Sequence, residues 1–254
     1  MSARLGPLTG PESQDGPGEK PELQVRSKVQ INAPFGMLWE RYLPVFLEQG
    51  LNPEIGLDAA SLDRFSRPEF QRVAEQFLQA GLSITLHAPF QDLLPGALDG
   101  KILAATRARL QEAFDLLEVF QPRSIVCHMG YESRHYQNLE EIWLAHSLAT
   151  WEPLAARAAR SNTLVALENV YETEPALIRR LFDALQAPNI CLCLDVGHLQ
   201  AFGGGDFPAW LAELGDLVGQ LHLHDNHGSG DEHLALGQGI IPLSQVLDYF
   251  AARP

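Results

Sequence analysis

The segment from Gln220 to His233, QLHLHDNHGSGDEH, holds four histidines and two aspartates in fourteen residues. Upstream, four short apolar runs each finish in a side chain able to ligate a metal. ITLHAPF carries His87, SIVCHMG carries His128, TLVALENV carries Glu168, and ICLCLDVGH carries Asp195 and His198. Seven of the nine histidines thus stand at the ends of strand-like runs or just beyond them. Imidazole mixed with carboxylate suits zinc, manganese or iron better than the all-oxygen shells of calcium and magnesium. The expected cofactor is therefore a divalent ion, zinc or manganese, in one to three copies. Asp195-x-x-His198 leaves one strand end and turns back toward the same face, and Asp231-x-His233 can donate two ligands from one extended segment.

Elements must exist to bring these groups together. From about residue 25 the chain alternates short apolar or β-branched runs with longer amphipathic stretches, a pattern that predicts strands at 27–32, 53–57, 83–87, 124–128, 163–168, 190–195 and 220–224. Helices are expected between them, among them Pro68–Gln79 and Lys101–Phe120, where Leu103, Leu110, Phe114, Leu117 and Phe120 recur at helical spacing. A further helix is expected from about Pro242. Alternating strands and helices imply a parallel sheet. Ligand-type residues at the carboxyl end of nearly every strand favour a closed (β/α)8 TIM barrel over an open doubly wound sheet, because the barrel gathers its site from many strand ends. Giving His87, His128, Glu168 and Asp195 inward positions makes Thr85, Val126, Ala166 and Cys193 inward too, all of a size for a packed barrel interior. In the last strand His222 and His224 share inward parity. Only seven strands can be counted, so either the chain is truncated before an eighth β/α unit or the barrel closes differently; C-terminal truncation is the expectation. The first 23 residues read as a flexible tail and residues 24–254 as a single barrel domain.

The charge balance narrows the partners. With 18 basic against 32 acidic residues and a net charge of −14, the chain lacks the Lys/Arg excess that a polynucleotide's phosphates demand. A small carbohydrate-like substrate is expected instead, and nucleic acid is not. No run approaches the ~18 apolar residues of a membrane helix, and the first 23 residues lack the apolar core of a signal peptide. The three cysteines, Cys127, Cys191 and Cys193, form no spaced framework, which points to a reducing, cytoplasmic setting. Cys191 and Cys193 read as small interior residues.

Taken as a set and in this order, the motifs HAPF, LEN, DVGH, HLHD and DxHLxLGxG make residues 83–240 resemble the xylose-isomerase-like TIM-barrel superfamily, which includes sugar-phosphate isomerases and epimerases together with endonuclease IV. That resemblance implies that Glu168, Asp195 and His222 are ligands of a common metal. Its fuller, endonuclease-IV-like form adds His87, His128, His198, Asp231 and His233. Two departures stand out. The resemblance implies a fourth ligand, a Glu on strand eight, which this chain does not reach, and the usual LGEG is Leu236-Gly-Gln-Gly239, with Gln238 in place of a carboxylate.

Around this set, Glu54, His224, Asn226 and Gln238 are candidate substrate-binding residues, with Glu54 equally able to pair with a neighbouring Arg. Asn169 and Asn226 can orient ligands or simply satisfy loop backbone. The four tryptophans lie in helical patterns and belong to the packing outside the barrel; His135 and His146 read as surface or helix-packing residues. Two chemistries fit. The acidic balance favours a divalent-metal-dependent isomerase or epimerase of a small sugar, sugar phosphate or polyol, with Glu168 as acid/base and the metal steadying an enediolate-like intermediate. The alternative is a multi-zinc phosphoester hydrolase of the endonuclease IV type.

Overall fold

The computed structural model describes residues 29–252. The expected N-terminal tail and the first residues of the strand expected at 27–32 lie outside the described residues.

Among the described residues seven strands are found where alternation places them: β1 (Gln30–Pro34), β2 (Asn52–Gly56), β3 (Thr85–His87), β4 (Ser124–His128), β5 (Leu164–Glu168), β6 (Ile190–Asp195) and β7 (Val218–His222). They pair in parallel and in strict sequence order, β1 to β7. An open doubly wound sheet would reverse its strand order partway across; this one does not. Side chains of β7 reach strands far from it in that order. Gln220 bonds Ser124 of β4 at 2.6 Å and Glu54 of β2 at 2.8 Å. Such contacts require the sheet to curl into a barrel.

Two apolar layers follow from the pleat. Residues facing outward, such as Ile125, Leu167, Leu192 and Leu194, join the helices in the main core, where Trp143, Trp151 and Trp210 are buried. Inward, Val126, Ala166 and Cys193 form a small separate cluster with Cys191 against it. The inward parity read from the sequence accounts for this division.

Boundaries differ in two informative places. The strand expected at 220–224 is Val218–His222, because beyond His222 the chain leaves the sheet and Asp225 exchanges backbone hydrogen bonds with Leu234, at 2.9 and 2.8 Å. His224 is therefore a loop residue. The helix expected over 101–120 is split into Gly100–Phe114 and Leu117–Phe120. At the break the Leu116 N–H bonds the Ala113 carbonyl, three residues back instead of four, which tightens the turn and interrupts the α-helix. Elsewhere the agreement is close: Arg67–Gln79 opens with a Ser66/Glu69 capping box, and Leu243–Ala251 forms the final helix. Among the described residues no helix is long and apolar enough to cross a membrane.

Candidate metal centre

The carboxyl ends of β3 to β7 deliver His87, His128, Glu168, Asp195 and His222 to one cavity. The loops beyond β6 and β7 add His198, His224, Asp231 and His233. Local chemistry aims each of them. Asp195 ends β6 and also caps the next helix, Val196–Ala201, accepting the His198 N–H at 2.7 Å. Asn169, the residue after β5, brackets the Asp195 backbone: its amide accepts the Asp195 N–H at 2.9 Å and donates to the Asp195 carbonyl at 3.0 Å. This gives the Asn of LEN its purpose, locking the ends of β5 and β6 in register.

Main-chain carbonyls choose which ring nitrogen faces inward. His87 Nδ1 donates to the Ala88 carbonyl at 2.9 Å, leaving Nε2 3.1 Å from Glu168 Oε2. His198 Nδ1 lies 2.9 Å from the Asn169 carbonyl, so its Nε2 points toward Asp231 Oδ2 at 3.4 Å. His128 Nε2 is also 3.1 Å from Glu168 Oε2, and the exposed Phe90 ring stacks on His128 at 4.3 Å between centroids. His222 works the other way round, with Nδ1 2.8 Å from Glu168 Oε1 and 3.7 Å from Asp195 Oδ2.

His224 sits beside this group. Its Nε2 is 3.1 Å from Asp195 Oδ1, its Nδ1 is 3.6 Å from Asp231 Oδ1, and its ring stacks on His233 at 4.0 Å with planes 5° apart. The Gly197 of DVGH makes this possible: any Cβ there would collide with the His224 imidazole. His233 adopts a left-handed backbone (φ 51°), uncommon outside glycine, and its Nε2 lies 2.9 Å from Asp231 Oδ2.

Charge dominates the energetics. Burial pushes the Glu168 carboxyl up, but the His222 charge and contacts with His128, His222 and His87 outweigh it and hold the group well below its usual range. Asp195 is likewise held low against burial by His222 and His224, and Glu54 against burial by the charge and contact of His222. Conversely, burial pulls His222 down, yet Cys193, Glu168 and Glu54 raise it well above the ordinary imidazole value. His87 and His224 are raised by Glu168 and Asp195 respectively in spite of burial. At His128 burial prevails, and the imidazole is lowered.

A ring nitrogen facing carboxylate oxygens at these distances needs a cation between them, either a proton or a metal. The donors converge in four overlapping groups whose ligating atoms lie within 4.8 Å of one another: His87, His128 and Glu168; Glu168, Asp195 and His198; Glu168, Cys193 and His222; and His198, His224, Asp231 and His233. Nitrogen, carboxylate and sulfur donors at such separations fit divalent transition ions or zinc.

All eight metal-ligand candidates are thus brought together. Of the four substrate-binding candidates, His224 joins a donor group. Glu54 is 4 % exposed and is met by Asn32, Thr85, Gln220 and His222, with no Arg among these partners. Asn226 is fully buried, donating to the Gly197 carbonyl and accepting the Gly228 N–H; that spends its amide on bracing the loops. Gln238 is exposed, in a turn closed by its N–H to the Ala235 carbonyl. Four residues in or beside the site had no chemical role in the sequence reading. Cys193, read only as interior packing, lies within ligand reach, and Phe90, the last residue of HAPF, covers His128. Gln220 was legible as a polar residue with inward parity. Glu172 left no such signal: it is buried, accepts the Val170 and Tyr131 N–H groups, and burial pushes its carboxyl up to about 7.

The profile of the xylose isomerase-like TIM barrel matches residues 52–253. The uncharacterized protein MJ1311 of Methanocaldococcus jannaschii is 24% identical over 243 residues, covering 90% of this chain and 83% of its own length. Among solved structures, the TTHB071 protein of Thermus thermophilus, soaked with ZnCl2, superposes with a TM-score of 0.75 at 27% identity over 87% of this chain and 86% of that one. A D-tagatose 3-epimerase-like protein superposes with a TM-score of 0.72 at 21% identity, covering 88% and 86% of the two chains.

Proposed function

The chain belongs to the xylose isomerase-like TIM-barrel family, and on that premise we propose that it is a hydrolase of a small phosphate ester working with more than one divalent ion. The observation that carries this reading is the division of Glu168, whose Oε2 faces His87 and His128 while Oε1 faces His222. A carboxylate whose oxygens belong to different imidazole sets is suited to bridge two ions. His198, His224, Asp231 and His233 offer a further set beside it. A reaction run through one ion has no need of His87, His128, Asp231 and His233 as ligands.

When bound, paired ions acidify a water and stabilise both the attacking and the leaving oxygen of a phosphoryl transfer. The chain's own part is positioning. Glu168, held low by its histidines, remains a carboxylate at neutral pH, which suits a ligand better than a proton shuttle. The Ala88 and Asn169 carbonyls fix the rings of His87 and His198. The imidazole-rich donor set favours zinc, as does the zinc soak of the Thermus thermophilus relative. The net charge of −14 favours a small substrate over a polynucleotide.

A second reading, a metal-dependent isomerase or epimerase of a small sugar or polyol, draws support from Glu168, Asp195 and His222 lying together as a one-ion set and from the D-tagatose 3-epimerase-like neighbour. There Glu168 would move a proton at a substrate carbon. Elemental analysis with two assays separates them. More than one zinc equivalent together with cleavage of a chromogenic phosphodiester supports the hydrolase. One equivalent, exchange of a ketose C–H with solvent and no phosphodiester cleavage would overturn it.

A further inference from the structure

We propose that Glu54 is a positioning residue that grips His222 by Nε2 and thereby presents Nδ1 to the metal centre. The inference rests on the metal-centre reading above.

Glu54 lies on β2 and His222 at the end of β7, strands that are not neighbours in the sheet. Their side chains meet inside the barrel, with Glu54 Oε1 3.1 Å from His222 Nε2. The ring edge is not aligned for a straight hydrogen bond, which leaves Nε2 without a formal partner, but no other carboxylate among the described residues is placed as near that nitrogen. The opposite edge of the ring faces Glu168 Oε1 and Asp195 Oδ2. Imidazole therefore stands between two carboxylate environments, one beneath it and one at the centre.

Glu54 is itself held from three sides. Asn32 donates to Oε1 at 3.2 Å, Thr85 to Oε2 at 3.2 Å and Gln220 to Oε2 at 2.8 Å. Gln220 is in turn anchored by Ser124 at 2.6 Å. Contributions from β1, β3, β4 and β7 thus fix one carboxylate that is almost sealed from solvent. Burying a carboxylate is costly unless it is hydrogen-bonded and paired with a cation; the donors meet the first condition. The cation it faces is the imidazole of His222, whose Nε2 stands 3.1 Å away, and in the proposed role Glu54 accepts the Nε2–H. A ligating histidine that donates its other N–H to a carboxylate is locked in tautomer and orientation and becomes a stronger ligand. His87 and His198 receive the same service from main-chain carbonyls; His222, turned the other way, receives it from Glu54.

The test compares zinc affinity, by competition with a chromophoric chelator, for wild type, Glu54→Gln and Thr85→Val. Glu54→Gln keeps the size of the side chain but removes its charge, and zinc affinity should fall by roughly 10- to 100-fold. Thr85→Val strips one support from Glu54 without touching His222, and affinity should stay close to wild type. In the zinc-loaded wild type, imidazole 15N spectra assigned with His222→Ala should show His222 protonated at Nε2 and bound through Nδ1. Unchanged affinity in Glu54→Gln, or equal losses in both variants, would overturn the inference and leave the metal centre standing. His222 bound through Nε2 would overturn it from the wild-type spectrum alone, even if the Gln variant failed to fold. A wild-type protein that binds no zinc would overturn the metal-centre reading, and this inference with it.

Discussion

His222 Nδ1 lies 2.8 Å from Glu168 Oε1, and the two residues come from strands 54 residues apart in the chain. The pair concentrates the conflict at the heart of the barrel: a buried carboxylate and a half-buried imidazole, each unfavourable alone, are tolerated because each holds the other charged. Four histidines converge on that one carboxylate, His198 the farthest at 3.6 Å.

That convergence sets the pH dependence of the metal-free protein. Glu54, Glu168 and Asp195 are held below their ordinary values, so their stabilisation is present above the unfolded carboxylate range of about 4 and is lost as pH falls through their folded values. His87, His222 and His224 are raised, so theirs is complete below an unfolded value of about 6.5 and is lost as pH rises through the folded values. His128 is lowered and opposes this in mild acid. With chelator present, thermal stability should peak between about pH 4.5 and 6.5 and decline above it. With zinc present it should keep rising toward neutral pH, because metal replaces protons on the ligands. A chelated protein whose melting temperature climbs steadily through neutral pH would contradict the account.

Removing ligands from different groups should lower metal content unequally. Asp195→Ala and His222→Ala strike groups centred on Glu168 and should remove most bound metal while the barrel stays folded. Asp231→Ala or His233→Ala strikes only the group at the mouth and should remove part of it. His146→Ala is the control: its Nδ1 bonds the Ala97 carbonyl at 2.7 Å, so it should cost about 1 kcal/mol of stability and no metal. Elemental analysis and circular dichroism read both effects. Equal metal loss from Asp231→Ala and Asp195→Ala would speak for a single ion.

Gly197→Ala tests the packing that lets His224 approach Asp195. The added methyl would run into the His224 ring, and overpacking of this kind costs about 1–3 kcal/mol. The expected outcome is a lower melting temperature together with metal loss resembling that of Asp231→Ala, since both changes disturb the group containing His224 and Asp231. A variant with wild-type metal content would show that His224 is dispensable as a donor.

Glu168→Gln should abolish both metal retention and turnover. It keeps the shape of the side chain but withdraws the charge that four histidines face. If bound metal survives and only solvent exchange of a substrate C–H is lost, the residue is a proton shuttle and the isomerase reading gains.

The sequence alone picked out the histidines and carboxylates at the strand ends and the side of the sheet on which they lie. Side chains alternate with a period of two along a strand, so His87, His128, Glu168 and Asp195 at strand ends, with Val126, Ala166 and Cys193 beneath them, could be sorted from local pattern. It also determined that the strands run parallel, because a helix between two strands returns the chain to the same end of the sheet, and ligand-type residues at nearly every strand end favoured the sequential order of a barrel. Only the tertiary structure decided which atoms meet. The end of β7 at His222 depends on the bridge between Asp225 and Leu234, and the nitrogens that His198 and His222 present depend on a carbonyl and carboxylates from distant segments. Glu54 and Gln220 are 166 residues apart yet bonded, and the Asn169 bracket on Asp195 spans 26. Such pairings are set by the curl of the sheet and its strand register, which are properties of the assembled barrel and leave no periodic trace in any one segment.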